Sequence, residues 1–396
     1  MDVLESIKPT RAEELKAIKI VSKFLAKLNK RLVGGEAVVG GSFAKNTWLK
    51  GDHDIDIFVL FGKKQDTNKI SEILEKTIKQ VFLFVNKIAG SRDYFQIKYK
   101  GYLFELIPVL KIDNPEEALN IMDISPMHVS WVNKNINGKE DDVRKLKMFM
   151  KAANCYGAES YIKGFSGYVC EILTVYYGSF NDVIKNAVNW KEFEIIDTKK
   201  RKILIRSVDK SKISPLIVID PVQKERNAAA ALSHEKFELF INTCKEYLKK
   251  SSEEFFIKKI KIPEGAVVIK AKPVNGRKDI VGAKLLKAYE FIKNKLDEDF
   301  GVSSSSWYWT SKALFYYVLK TNELSEYKKH YGPHVGDDMH LARFKEKWHD
   351  KKILTENDRY YVNVKRKHTK LKPYLRDLIN NPEIKEKVKS IKMQKI

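Results

Sequence analysis

The sequence predicts a multidomain α+β fold, and three observations carry that expectation. Its 396 residues suffice for two to four domains of ordinary size. Apolar residues make up 43% and aromatics 11%, a globular balance that excludes a disordered chain. Helical and extended periodicities alternate along the chain without an internal repeat or a long low-complexity tract.

Thr10 and Glu13 have the spacing of a capping box, and Ile18, Val21, Leu25 and Leu28 recur at helical intervals, so an amphipathic helix opens the chain. After Gly34-Gly35, Ala37 to Val39 reads as a short buried strand, Gly40-Gly41-Ser42 as a turn, and Phe43 to Leu49 as one or two helical turns. Residues 54–61, DIDIFVLF, are β-branched and apolar beyond their two acids, which predicts a central strand. Ile70, Ile73, Leu74, Ile78 and Val81 predict a helix within 68–86, followed by two strands hinged at Lys100-Gly101. Residues 140–190 read as helices, one of them stopping at Gly178. Strands return over 192–220, Lys199 to Lys202 reads as a solvated loop, and a further helix ends near Leu248. Lys249-Lys250-Ser251-Ser252 has the composition of a linker. A new unit is expected from the strand GAVVIKA at 265–271, with a helix over 283–296 and an aromatic run, WYWTSKALFYYVL, read as core. The expected divisions are residues 1–130, 131–258 and 259–396.

Lys and Arg number 74 against 51 Asp and Glu, a net charge of +23 that draws polyanions, nucleic acid first among them. An anionic membrane surface is the rival, but no segment approaches the roughly 20 apolar residues of a membrane span. The opening MDVLESIKPTRAEELK lacks the apolar middle of a secretion signal, and three cysteines without metal spacing fit a reducing compartment. A cytoplasmic protein without a membrane partner is expected. The last 46 residues hold fourteen Lys or Arg against five Asp or Glu, with aromatics interleaved, which suits contacts along an RNA backbone.

The chemistry is concentrated in Gly40-Gly41-Ser42 and, twelve residues after the serine, Asp54-Ile55-Asp56. Side chains alternate along a strand, so Asp54 and Asp56 project from one face while Ile55 and Ile57 enter the core. Carboxylates so placed, roughly 6–7 Å apart, repel unless a proton or a cation intervenes. A hard divalent ion with oxygen ligands, Mg²⁺ by preference, removes the conflict. The turn into a helix offers backbone N–H groups and a hydroxyl to phosphate oxygens, and Lys45 adds a point charge. A phosphate cradle beside a metal-binding acid pair means phosphoryl or nucleotidyl transfer. A two-metal centre needs a further acid, and Glu105, inside the apolar strand YLFELIPVL, is the candidate. The bland alternatives are a solvated strand end for the aspartates and an edge acid paired with a lysine for Glu105.

These residues carry a resemblance. VVGGSFAKNTWLKGDHDIDIF (38–58) resembles the signature of the polymerase-β-type nucleotidyltransferase superfamily, and its longer pattern resembles the archaeal, class I CCA-adding enzymes. SPMHVSW (125–131), GKEDDVRKLKMFMKAANCYGAESYIKGFSGYVCEIL (138–173) and DPVQKERNAAAALS (220–233) are similar to that family's middle segments, so the likeness covers about the first 250 residues. It implies a nucleotidyltransferase head with a mixed sheet and flanking helices, a mainly helical neck, and an α+β RNA-binding C-terminal half. The implied activity is template-independent addition of C, C and A to the 3′ end of tRNA from CTP and ATP, with two Mg²⁺ ions and pyrophosphate release. The tRNA would be held by its 3′ acceptor end and acceptor arm. By the same resemblance Asp54, Asp56 and Glu105 hold the metals, Gly41, Ser42 and Lys45 the triphosphate, and His128, Lys147 and Tyr156 the nucleotide, while Arg226 reads the base. Whether Glu105 is a general base or a ligand alone stays open, as does the oligomeric state, a homodimer included. A poly(A)-polymerase-like or oligoadenylate-forming enzyme, or an inactive RNA-binding protein on the same fold, is the alternative.

Two of these roles have a physical side. Arg144, Lys147 and Lys151 share one face of a helix over 142–153, a basic stripe suited either to a triphosphate or to solvent. The guanidinium of Arg226 has donors only, whereas cytosine N3 and adenine N1 accept and uracil N3–H and guanine N1–H donate. One arginine could thus admit C and A and refuse U and G, unless it is merely paired with Glu225 or Asp220.

Overall fold

A computed structural model describes residues 3–90, 92–201 and 209–395, and the chain separates into two compact units, 1–259 and 260–396. Part of the stretch expected to carry strands over 192–220, together with Lys202, lies outside the described residues.

Unit 1 begins with two helices, α1 (Val3–Ile7) and α2 (Arg11–Asn29), the second started by the Thr10/Glu13 capping box. The buried face of α2 is Ala17, Ile20, Val21, Phe24 and Leu28, while Ile18, expected in the core, is about half exposed. Phe24 decides this rotation: its ring stacks on Phe104 and Phe82 beneath the sheet.

That sheet has five strands, β1 (Gly35–Val39), β2 (Asp54–Phe61), β3 (Asn86–Ile88), β4 (Tyr94–Tyr99) and β5 (Tyr102–Leu110), in the order β1-β2-β5-β4-β3. Between β1 and β2 the chain forms a single short helix, α3 (Gly41–Ala44), which starts earlier than the one or two turns expected over Phe43 to Leu49 and ends well before Leu49. Helix α4 (Ile70–Val81) follows β2 and ends at Phe82, so the predicted helix stops short and residues 83–85 lead into β3. β2 and β5 are parallel, and the remaining neighbours are antiparallel. The β4–β5 hairpin turns at Lys100 and Gly101, both with positive φ, the conformation a two-residue hairpin demands. Ile55, Ile57, Val59 and Phe61 point into the core under α2 and α4, leaving the opposite face of β2 to the two aspartates.

Five further helices complete the unit: α5 (Ser125–Asn135), α6 (Glu140–Ala152), α7 (Gly167–Tyr177), α8 (Phe180–Ala187) and α9 (His234–Lys249). They enclose a second core with a short parallel pair, β6 (Glu194–Ile196) and β7 (Leu216–Val218). Phe255 and Phe256 still pack on Phe149 of α6 in that core, so Lys249 to Ser252 is an internal turn and not a linker between units.

In unit 2, strands β8 (Val267–Pro273), β9 (Val302–Trp309), β10 (Ala313–Leu319) and β14 (Val388–Lys395) form a sheet ordered β14-β8-β10-β9 against α10 (Lys278–Phe300). Strands β11 (Tyr327–His334), β12 (Ile353–Glu356) and β13 (Arg359–Lys365) form another, with α11 (Asp338–Lys347) on one side. The basic C-terminal stretch is no loose tail. Leu371 and Leu375 of α12 (Leu371–Ile379), Ile384 of α13 (Pro382–Lys385) and Val388 of β14 are core residues, so removing 351–396 would dismantle the unit. No helix of the described residues is long and apolar enough to cross a membrane.

Candidate active site

The sheet of unit 1 brings the predicted acids to one face. Asp56 stands opposite Glu105 in the parallel register of β2 and β5, and Asp54 lies two residues earlier on the same side. Burial, then the neighbouring Glu105 charge, push the Asp56 carboxyl up to about 6 against the pull of Lys45. Like charges on this face are therefore short of a counter-charge, which is the condition a hard divalent cation relieves. Among the described residues, no three acidic, His or Cys side chains stand close enough to enclose an ion unaided. Glu105 is the member turned aside: its Oε1 accepts a hydrogen bond of 2.6 Å from Gln96 Nε2 on β4.

The Gly-Gly-Ser turn closes over the same carboxylate. Gly40 N–H donates to the Asp56 carbonyl at 2.8 Å, and Gly41 has φ +56°. A Cβ at position 41 would sit 1.7 Å from Asp56 Oδ2, so only glycine lets the turn approach. Ser42 follows on α3, whose first N–H groups have no partner within so short a helix. Gly41→Ala is expected to force the Asp56 carboxylate aside and to lower nucleotide incorporation about 100-fold or more, as displacements of this size do. Its melting temperature should move by only a few degrees; unchanged incorporation would mean that this rotamer of Asp56 is not the working one.

Lys45 and Lys147 meet at one acid that the sequence reading passed over. Glu171 of α7, fully buried, accepts from Lys45 Nζ at 2.6 Å, Thr47 Oγ1 at 2.7 Å and Lys147 Nζ at 3.2 Å. Burial alone would raise the Glu171 carboxyl, but the two ammonium groups hold it below its ordinary value; burial lowers Lys147, with Glu171 opposing. Tyr156 lies nearby: a Cβ on Gly167 would stand 3.0 Å from its hydroxyl and 3.4 Å from Lys147 Cε.

The stripe on α6 is turned largely into the protein rather than to solvent. Arg144, 1% exposed, donates to the Trp48 and Asn46 carbonyls and to Asp141, while Lys151 pairs with Asp52 at 3.3 Å. Together with Lys147 on Thr47, these cations clamp residues 46–52 between α3 and β2 and so fix the spacing from Ser42 to Asp54.

A third cluster joins His128 of α5, Tyr168 of α7 and Arg226 through Asp220. His128 Nε2 lies 3.0 Å and Arg226 Nη1 2.6 Å from Asp220 Oδ2, and Tyr168 donates to Oδ1 at 3.1 Å. A carboxylate only accepts, so His128 Nε2 carries the hydrogen that faces Asp220. Burial would raise the Asp220 carboxyl, yet His128, the Val222 N–H and Arg226 bring it down to about 2. The Tyr168 ring bridges the clusters, 4.4 Å from the His128 ring and 5.8 Å from Lys45 Nζ.

Comparison with known proteins adds the family. Residues 18–124 match the family model of a nucleotidyltransferase domain, 141–257 that of a tRNA nucleotidyltransferase second domain, and 266–391 that of a CCA-adding enzyme C-terminal domain. A CCA-adding enzyme of Nanoarchaeum equitans is 38% identical over 366 residues, 91% of each chain. That of Sulfolobus acidocaldarius is 32% identical over 97% of this chain and 91% of its own. Among solved structures, a Cid1 poly(U) polymerase superposes with a TM-score of 0.53 at 13% identity, covering 65% of this chain and 97% of that one, a likeness of fold alone.

Proposed function

The chain belongs to the CCA-adding enzymes, and from that premise we propose how its own residues perform the reaction. It is a nucleotidyltransferase that adds CCA to the 3′ end of tRNA, and enzymes of this kind use nucleotide substrates and a divalent metal. The finer reading is that CTP and ATP are the donors, that Mg²⁺ is the metal in a two-ion arrangement, that the acceptor arm is gripped, and that the cytoplasm is the place of work.

One observation supports this most: two aspartates on one strand face, of which Asp56 is in register with Glu105 and closed over by Gly41, form an acidic floor beside a turn suited to phosphates. Asp54, Asp56 and, after leaving Gln96, Glu105 would hold the metal, which when bound neutralises charge on the phosphates and on the attacking and leaving oxygens. Gly41 and Ser42 would offer N–H groups and a hydroxyl to the triphosphate, and Lys45 and Lys147 their charge. His128 and Tyr156 would orient the nucleotide, and Arg226 would donate to the base. The tRNA 3′-hydroxyl then gives up its proton to water or to a carboxylate of this face as its oxygen bonds to the α-phosphorus in line and the bond from that phosphorus to pyrophosphate breaks, so no protein nucleophile is needed.

A tRNA lacking its end, incubated with labelled CTP and then ATP, tests the reading. Two C followed by one A is expected; runs of A from ATP alone would point to a poly(A)-polymerase-like enzyme instead, and no incorporation at all to an inactive RNA-binding protein.

A further inference from the structure

The carboxylate of Asp220 gathers three side chains that come from three separated segments of unit 1. It is fully buried and accepts from Arg226 Nη1, His128 Nε2 and Tyr168 Oη, and also from the backbone N–H groups of Val222 at 2.8 Å and Gln223 at 3.4 Å. A carboxylate has about four lone-pair sites, so five donors leave it nothing to offer a nucleobase. Arg226 differs: its side chain is 35% exposed, anchored through Nη1 and with four further N–H donors on the same rigid plane.

We propose that Asp220 is the positioning residue for the choice of nucleobase, acting through Arg226 without touching the base. The inference rests on the reading of Arg226 as the group that faces cytosine N3 and adenine N1. A guanidinium discriminates an acceptor from a donor only if its N–H vectors are fixed; one free to rotate can turn away from an N–H and let water mediate. Two restraints do the fixing. Asp220 holds Nη1 in the side-chain direction, and the backbone closes the loop on itself, with Asp220 N–H donating to the Arg226 carbonyl at 2.9 Å and Arg226 N–H to the Gln223 carbonyl at 3.0 Å. The loop thus sets where the arginine stands, and the carboxylate sets which way its plane faces.

The test is incorporation of CTP against UTP on tRNA lacking its end, and of ATP against GTP on tRNA ending in CC. Asp220→Asn puts an amide N–H₂ among donors and releases the arginine. Both preference ratios in kcat/KM should fall at least tenfold, about as far as in Arg226→Ala, and the double variant should fall no further than Arg226→Ala alone. Asp220→Glu keeps the charge and the acceptor and should recover part of the ratio; it also decides the matter if the Asn variant does not fold. A purely structural role for Asp220 would lower kcat/KM for all four nucleotides together and leave both ratios intact, which overturns the proposal while Arg226→Ala still loses selectivity. Retained selectivity in Arg226→Ala itself would remove the reading of that arginine, and the role of Asp220 with it.

Discussion

Asp56→Asn is expected to lose nucleotide incorporation by about 1,000-fold or more and yet to melt higher than the wild-type protein at pH 8 without divalent cations. The loss follows from removing a charged oxygen at the centre of the acidic face, where charge stabilisation is worth several kcal/mol and each 1.36 kcal/mol is tenfold in rate. The gain follows from the same charge. Burial and Glu105 raise the Asp56 carboxyl from 3.8 to about 6, so the folded protein keeps its proton where the unfolded chain has released it. Stability therefore falls as pH rises between those values, and the penalty is complete above about pH 7. Roughly two units at 1.36 kcal/mol each, reduced for partial exposure, leave a penalty on the order of 2 kcal/mol. Asn carries no charge to penalise, and a few degrees of melting temperature should be recovered. The difference should close as pH falls toward 4, and saturating divalent cation should narrow or reverse it, because only the wild type gains by binding. An Asn variant that melts below wild type at pH 8 in chelator would contradict this account of the acidic face.

How far the sequence reaches is visible in the contrast between these acids and Glu171. The strand at 54–61 and the hairpin at Lys100-Gly101 were legible because their causes are local: a β-branched run in one case, and a glycine that accepts positive φ in the other. That Glu105 is the acid that joins the two aspartates was also legible, from an acid that has no place in an apolar run unless something meets it. The same signal stood in GYVCEILTVYY at Glu171 and was passed over, since its partners Lys45 and Thr47 are 126 and 124 residues away and no periodicity links them. Asp220, six residues from Arg226, was legible as a partner of that arginine and the structure makes the pair, but distance in sequence hid its third donor His128, 92 residues off. The α6 stripe was legible only in part, because helical spacing reveals that cations share a face but not that a loop with free carbonyls will pack against it. The fold of the basic terminus was hidden likewise, for its apolar residues at 371, 375, 384 and 388 are sparse in sequence and become a core only beside β8 and α10.

Glu171→Gln is expected to destabilise unit 1 by about 3–5 kcal/mol, the cost of leaving buried charge without its partner. Two ammonium groups, Lys45 and Lys147, share this one carboxylate, and Thr47 occupies one of its oxygens. Glutamine can accept from one lysine, but its amide N–H₂ would then face the other. A drop of about ten degrees or more in melting temperature at neutral pH should result. Because the two lysines hold the carboxyl below its ordinary value, the wild-type advantage should be present at neutral pH and fade as acid protonates Glu171. Adding Lys147→Met to Glu171→Gln should recover part of the loss by deleting an unpaired buried charge, whereas two independent defects would add. The arrangement leaves one positive charge in excess even in the wild type, and Lys45 is the lysine nearer Gly41 and Ser42 in the chain. With Glu171 neutral that excess doubles, so a triphosphate should raise the melting temperature of the Gln variant more than that of the wild type. Equal ligand-induced shifts would mean that the two lysines serve only to bury Glu171 and do not face the phosphates.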